Sequence, residues 1–105
     1  MPVNFKLKAN PTFRAPVAIP IAGSDKPETV VMVFRHRTKS ELKEFYTYRE
    51  GREDHEVFME MVVGWELEEP FNVDNVKELL ENYGGAGVAT YLAYIEELTK
   101  ARAKN

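Results

Sequence analysis

Two prolines four residues apart, set in an alternating apolar run, constrain this chain more than any other feature. Phe13, Ala15, Val17, Ile19 and Ile21 occupy every second position, the period of a strand with one buried face. Pro16 and Pro20 share the opposite parity. Amides of equal parity point to the same side of a strand, so both missing donors fall along one edge. That edge cannot pair with a neighbour, and residues 13–21 read as an edge strand. Thr29-Val30-Val31-Met32-Val33-Phe34 is a second strand, β-branched and apolar enough to be buried on both faces. The turn-forming residues Ala22 to Glu28 join the two as a hairpin. Val3–Lys8 alternates in the same manner and adds a short first strand.

After Arg37 the apolar period lengthens from two to about 3.6. Thr38 or Ser40 can cap a helix with Leu42, Phe45 and Tyr46 on one stripe. Gly51 interrupts it, and a second helix runs from about Glu53 to Val63 until Gly64, a residue that tolerates positive φ, ends it. Trp65 and the acidic stretch Glu66-Leu67-Glu68-Glu69 follow, closed by Pro70. Asn72 reads as an N-cap flanked by the hydrophobic staple Phe71 and Val76. The third helix breaks at Gly84-Gly85. The last, about Ala86–Ala103, has Val88, Leu92, Ile95 and Leu98 on its core stripe, with Tyr91 and Tyr94 beside it. The expected fold class is α+β, a small antiparallel N-terminal sheet of two or three strands followed by about four helices, with residues 1–105 as a single domain.

Composition narrows the chemistry. The chain has no cysteine, which removes disulfides, thiolate metal sites and cysteine nucleophiles. It contains no apolar run long enough for a membrane span and no secretory signal, so a cytosolic product is expected. Residues 1–37 carry six basic and two acidic groups, a net of +4; the remainder carry eight and fifteen, a net of −7, and the two sum to the chain's −3. No stripe of lysine and arginine escapes neighbouring carboxylates, which argues against nucleic acid. The imbalance reads either as solvated faces or as unlike ends by which identical chains attract one another.

Catalytic motifs are absent. His55 has Met59, not histidine, at i+4, so no helical metal pair forms; His36 sits between Arg35 and Arg37 at a strand end. The chain lacks a nucleophile elbow, a Walker lysine loop and a dinucleotide turn, so no cofactor is expected. Gly84-Gly85-Ala86-Gly87 precedes a helix without a strand before it or a lysine within it, and reads as a helix–helix turn. The residue types that remain suit protein contact. Tyr91 and Tyr94 offer rigid apolar area with a hydroxyl that tolerates water. Trp65, the only tryptophan, is either a plug between the second and third helices or a contact residue, and Phe71 follows it.

The order of several segments resembles a known family. Asn10-Pro11-Thr12-Phe13 opens the first long strand, and Val33-Phe34-Arg35-His36-Arg37-Thr38 and Glu41-Leu42 follow. Val62-Val63-Gly64-Trp65 leads into the acidic stretch, then come Pro70-Phe71, Val76, Leu79-Leu80, Tyr83 and a closing helix Tyr91–Leu98. With this order and spacing the chain resembles the tail assembly chaperones of long-tailed bacteriophages and prophages. The resemblance implies a non-enzymatic protein that binds the tape-measure protein and keeps its helical segments soluble while tail-tube protein polymerises around it. It further implies action in the bacterial cytoplasm, homo-oligomers, and departure before the virion matures. Many such proteins also exist as a longer frameshifted product that recruits tube protein; a chain ending at Lys104-Asn105 matches the short form. Two alternatives remain: a minor tail component retained in the particle, and a small metal-dependent or acid–base enzyme using His55 with Asp54, Glu56 or Glu60.

Overall fold

A computed structural model describes residues 5–100. Seven elements follow in order: β1 (Thr12–Ile19), β2 (Glu28–Arg35), α1 (Lys39–Thr47), α2 (Asp54–Met61), β3 (Val62–Trp65), α3 (Val73–Asn82) and α4 (Ala86–Thr99). The sheet is antiparallel with order β1-β2-β3. The α+β class and the three-strand, four-helix content agree with the sequence. β1 is an edge strand, with Pro16 opposite Val31, and Ala15, Val17 and Ile19 turn their side chains into the core. The proline argument therefore holds.

Three expectations do not survive. Residues 5–8 form no strand, and Phe5 and Leu7 are exposed; Val3 and Asn4 of the expected strand lie outside the described residues. β2 is buried on one face only. Met32 and Phe34 are fully enclosed, whereas Val31 and Val33 on the opposite face are half-buried, because the helices cover a single side of the sheet. Residues 62–65 leave the helical path as β3. Two consecutive valines favour a strand, and Val62 pairs with Phe34 across a bulge at Val33/Phe34. Gly64 consequently lies in this strand opposite Val33, and the positive φ values among glycines belong to Gly23 and Gly51.

Local signals fix the helix starts. Thr38 caps α1 in a reciprocal box: its hydroxyl accepts from the Glu41 amide at 3.1 Å, and its own amide donates to the Glu41 carboxylate at 2.8 Å. Those bonds from Thr38 hold the Glu41 carboxyl below its ordinary value. Its contribution is therefore present above the ordinary glutamate range and is lost as pH falls through the lowered value. Asn72 caps α3 as expected, accepting from the Asn75 amide at 2.8 Å. At α4, a Cβ on Gly85 would come within 3.0 Å of Pro20 Cγ, so the glycine lets the helix start press against the end of β1.

The core centres on Tyr94, which has no exposed surface. Its ring stacks with Phe34 at 5.3 Å and Phe13 at 6.2 Å and meets Phe45 edge-on at 5.9 Å. Its hydroxyl donates to the Arg35 carbonyl at 2.7 Å and accepts from Arg37 Nη1 at 3.0 Å. Arg37 also reaches the Glu60 carbonyl at 2.6 Å and the Glu60 carboxylate at 3.0 Å, and lies over the Phe45 ring at 4.7 Å. One tyrosine thus ties α4 to the sheet, to α1 and, through Arg37, to α2.

Tyr94→Phe keeps the rings and strips the Arg35 carbonyl of its donor; urea denaturation should show a loss of about 1–2 kcal/mol. Burial raises the Tyr94 phenol above its ordinary value. Above about pH 10 the unfolded chain ionises this group more readily than the folded one, so stability falls as pH rises. The alkaline slope should flatten in Tyr94→Phe, measured by urea midpoints from pH 9 to pH 11.

Candidate protein-contact surface

The phase of α4 decides which apolar residues remain outside. Ala86, Thr90 and Tyr94, spaced by four, face the sheet and are fully buried. The two small residues permit close approach, and the Thr90 hydroxyl lies 3.9 Å from the Met32 sulfur. Val88 and Leu92 consequently project from the opposite side, 64% and 60% exposed. The expected stripe is therefore turned round: of its four members, only Ile95 and Leu98 are half-buried against the core. Tyr94, named as a contact residue, is instead the enclosed centre of the fold.

The other three named residues lie at or near surface clefts. Trp65, on β3, is half-buried and meets Phe71 edge-on at 5.1 Å and 89°. Its Nε1 donates to the Glu69 carbonyl at 2.8 Å, which folds the acidic stretch back over the ring. Asn75 Nδ2 donates to the Pro70 carbonyl at 2.7 Å and fastens the same stretch to α3. A groove of about 570 Å³ opens beside it between the sheet and α3. Ile21, Val30, Trp65, Leu67, Leu79 and Tyr83 supply its apolar walls. Glu28, Glu69 and Glu78 stand around it. Phe71 supports Trp65 without lining the groove.

Tyr91 belongs to a second cleft, with Val57, Leu80 and Val88. The Arg49 guanidinium lies 4.6 Å over its ring. The structure therefore joins Trp65 with Phe71 and places Tyr91 apart from them. Val88, Leu92 and Leu67 are exposed apolar residues that the sequence reading did not single out for contact. The signal for the first two was present: small residues at 86 and 90, one turn apart and followed a turn later by Tyr94, mark a face meant for close packing.

Two of the four side chains offered by the enzyme reading, Glu60 and Glu56, are engaged elsewhere. Glu60 gives one carboxylate oxygen to Arg37 at 3.0 Å and the other to Arg52 at 2.9 Å. The Glu56 carboxylate accepts from the Glu53 amide at 2.9 Å. Among the described residues, no group of three His, Cys, Asp or Glu side chains could hold a metal ion. The charge imbalance is also partly settled within the chain, since Arg14 pairs with Glu66 at 2.7 Å as Arg37 does with Glu60. Among the described residues, no helix is long and apolar enough to cross a membrane.

The double variant Val88→Glu, Leu92→Glu tests the helix phase. It should keep the native circular dichroism and shift stability by no more than about 0.5 kcal/mol per site. A loss of several kcal/mol, as for core truncation, would place these residues inside.

A family model described as phage tail assembly chaperone matches residues 1–105, the whole chain. No curated protein and no solved structure matches it.

Proposed function

The chain belongs to the phage tail assembly chaperones, and from that premise we propose that it holds tape-measure protein in an assembly-competent state while tail-tube protein polymerises around it. The family's role is assembly, not catalysis. The observation that carries the reading is the family match along the full length. The exposed apolar residues on α4 and around Trp65 support it, because a client with helical apolar stripes needs such surface to stay soluble. Trp65, Phe71 and Tyr91 remain contact candidates on this proposal, Trp65 and Tyr91 directly and Phe71 by bracing the indole.

A domain of this size offers one client only a few contacts, so several copies along a long client would multiply weak binding through avidity. The protein on this reading acts as a single domain and a homo-oligomer in the cytoplasm of the bacterial host, and leaves before the tail is complete. The second reading, a minor component kept in the particle, has no specific observation in its favour.

Co-expression with the tape-measure protein encoded by the same phage tests the proposal. The tape-measure protein should be soluble and co-purify with the chain, and insoluble without it. Equal solubility in both cases would overturn the reading. Mass spectrometry of purified virions should find the tape-measure and tube proteins but not this chain; its retention would transfer the assignment to a structural component. Sedimentation of the chain alone should show a mass that falls between about 50 mM and about 1 M salt, as screening shortens the reach of exposed charge pairs.

A further inference from the structure

The groove beside Trp65 has a chemistry more specific than exposed apolar area. Its walls are largely apolar, with Asn75 and Asn82 adding two amides, and among the described residues the charged side chains lining it are Glu28, Glu69 and Glu78, with no lysine, arginine or histidine. All three carboxylates are exposed, and among the described residues none of them makes an ion pair. Elsewhere on the molecule acidic side chains do find cations, as Glu60 and Glu66 show. Three unneutralised carboxylates around one apolar floor create a local negative potential that any occupant must meet.

The floor argues for the shape of the occupant. Its residues come from β1, β2, β3 and α3 and from the connections after β1 and β3. Such a floor presents crossing side chains from three strands and a helix, a surface on which the apolar face of a helix can lie. Leu67 and Tyr83, 40% and 39% exposed, line an opening to solvent where a small molecule would be poorly enclosed. The rim is fixed in advance by the Trp65–Glu69 and Asn75–Pro70 hydrogen bonds, so docking need not order that loop.

We propose that this groove binds an amphipathic helix of a partner protein, its apolar stripe against Trp65, Leu67 and Leu79 and flanking lysines or arginines against Glu28, Glu69 and Glu78. This rests on the chaperone reading for the partner's origin, not for its chemistry. A helix rich in lysine or arginine beside its apolar stripe would dock; one flanked by acidic residues would be repelled. Specificity among client segments thus comes from charge, and adhesion from the apolar floor.

The probe is a synthetic leucine–lysine amphipathic peptide of about 15 residues, long enough to form a helix on binding. Its control is the same peptide with glutamate at every lysine. Trp65 is the only tryptophan, so its fluorescence in the full chain reports the groove directly. The lysine peptide should change the emission saturably and bind about ten-fold more tightly than the glutamate peptide, the size expected for three exposed charge contacts. The advantage should shrink with salt. Glu78→Lys, at an exposed position of α3, should keep the native circular dichroism and lose most of that preference. Equal binding of both peptides, binding of neither, or an unchanged preference in Glu78→Lys would overturn the inference. So would emission that follows protein concentration without peptide, since a second copy would then fill the groove. Pull-down of the tape-measure protein separates the two claims. If Glu78→Lys and Leu67→Glu retain it as the native chain does, the groove assignment fails while the chaperone reading stands. If the native chain does not retain it yet prefers the lysine peptide, the chaperone reading fails while the groove chemistry stands.

Discussion

The packing of Tyr94 governs the rest of this molecule. Its ring needs the aromatic faces of Phe13, Phe34 and Phe45, and its hydroxyl needs the Arg35 carbonyl and Arg37. These demands can be met in one rotation of α4 only. That rotation presses Ala86 and Thr90 to the sheet, leaves little room for a Cβ at position 85 beside Pro20, and sends Val88 and Leu92 outward. Core energetics and exposed surface are thus two results of one helix phase. Arg37 extends the constraint, because its guanidinium also holds Glu60 and so fixes α2 against the strand end.

The one-sided sheet has a related effect. Helices cover the face carrying Met32 and Phe34, while the face carrying Val31 and Val33 stays partly open. A small core of this kind leaves such groups partly wet. The apolar surface left over is consistent with a protein of the phage tail assembly chaperone family. On the inference drawn above, the acidic groove is more selective than the sheet face, since its carboxylates restrict what can approach the apolar floor.

Much of the fold was legible in the sequence, and the failures have physical reasons. The proline parity at 16 and 20 located an edge strand, and Asn72 and the pair Thr38 or Ser40, of which Thr38 is the cap, marked helix starts, because each signal is local and acts on its own backbone. β3 was missed because Val62-Val63 continues the apolar pattern of α2, and only pairing with Phe34 and Val33 reveals a strand. The α4 stripe was misassigned because Val88, Leu92, Ile95 and Leu98 make the more hydrophobic helical face. Small residues and a hydrogen-bonded tyrosine packed better against the sheet. Of the contact residues, Trp65 and Phe71 do come together and Tyr91 lines a cleft, whereas Tyr94 is enclosed. The carboxylates around the groove come from β2, the segment after β3, and α3, a convergence that no local pattern records.

Backbone hydrogen exchange of the full chain, with and without its co-expressed tape-measure protein, tests the account most directly. Slower exchange concentrated in residues 65–83, which form one side of the groove, is the result expected when a client helix lies there. Unchanged exchange across those residues, in a complex shown to be intact, would contradict it.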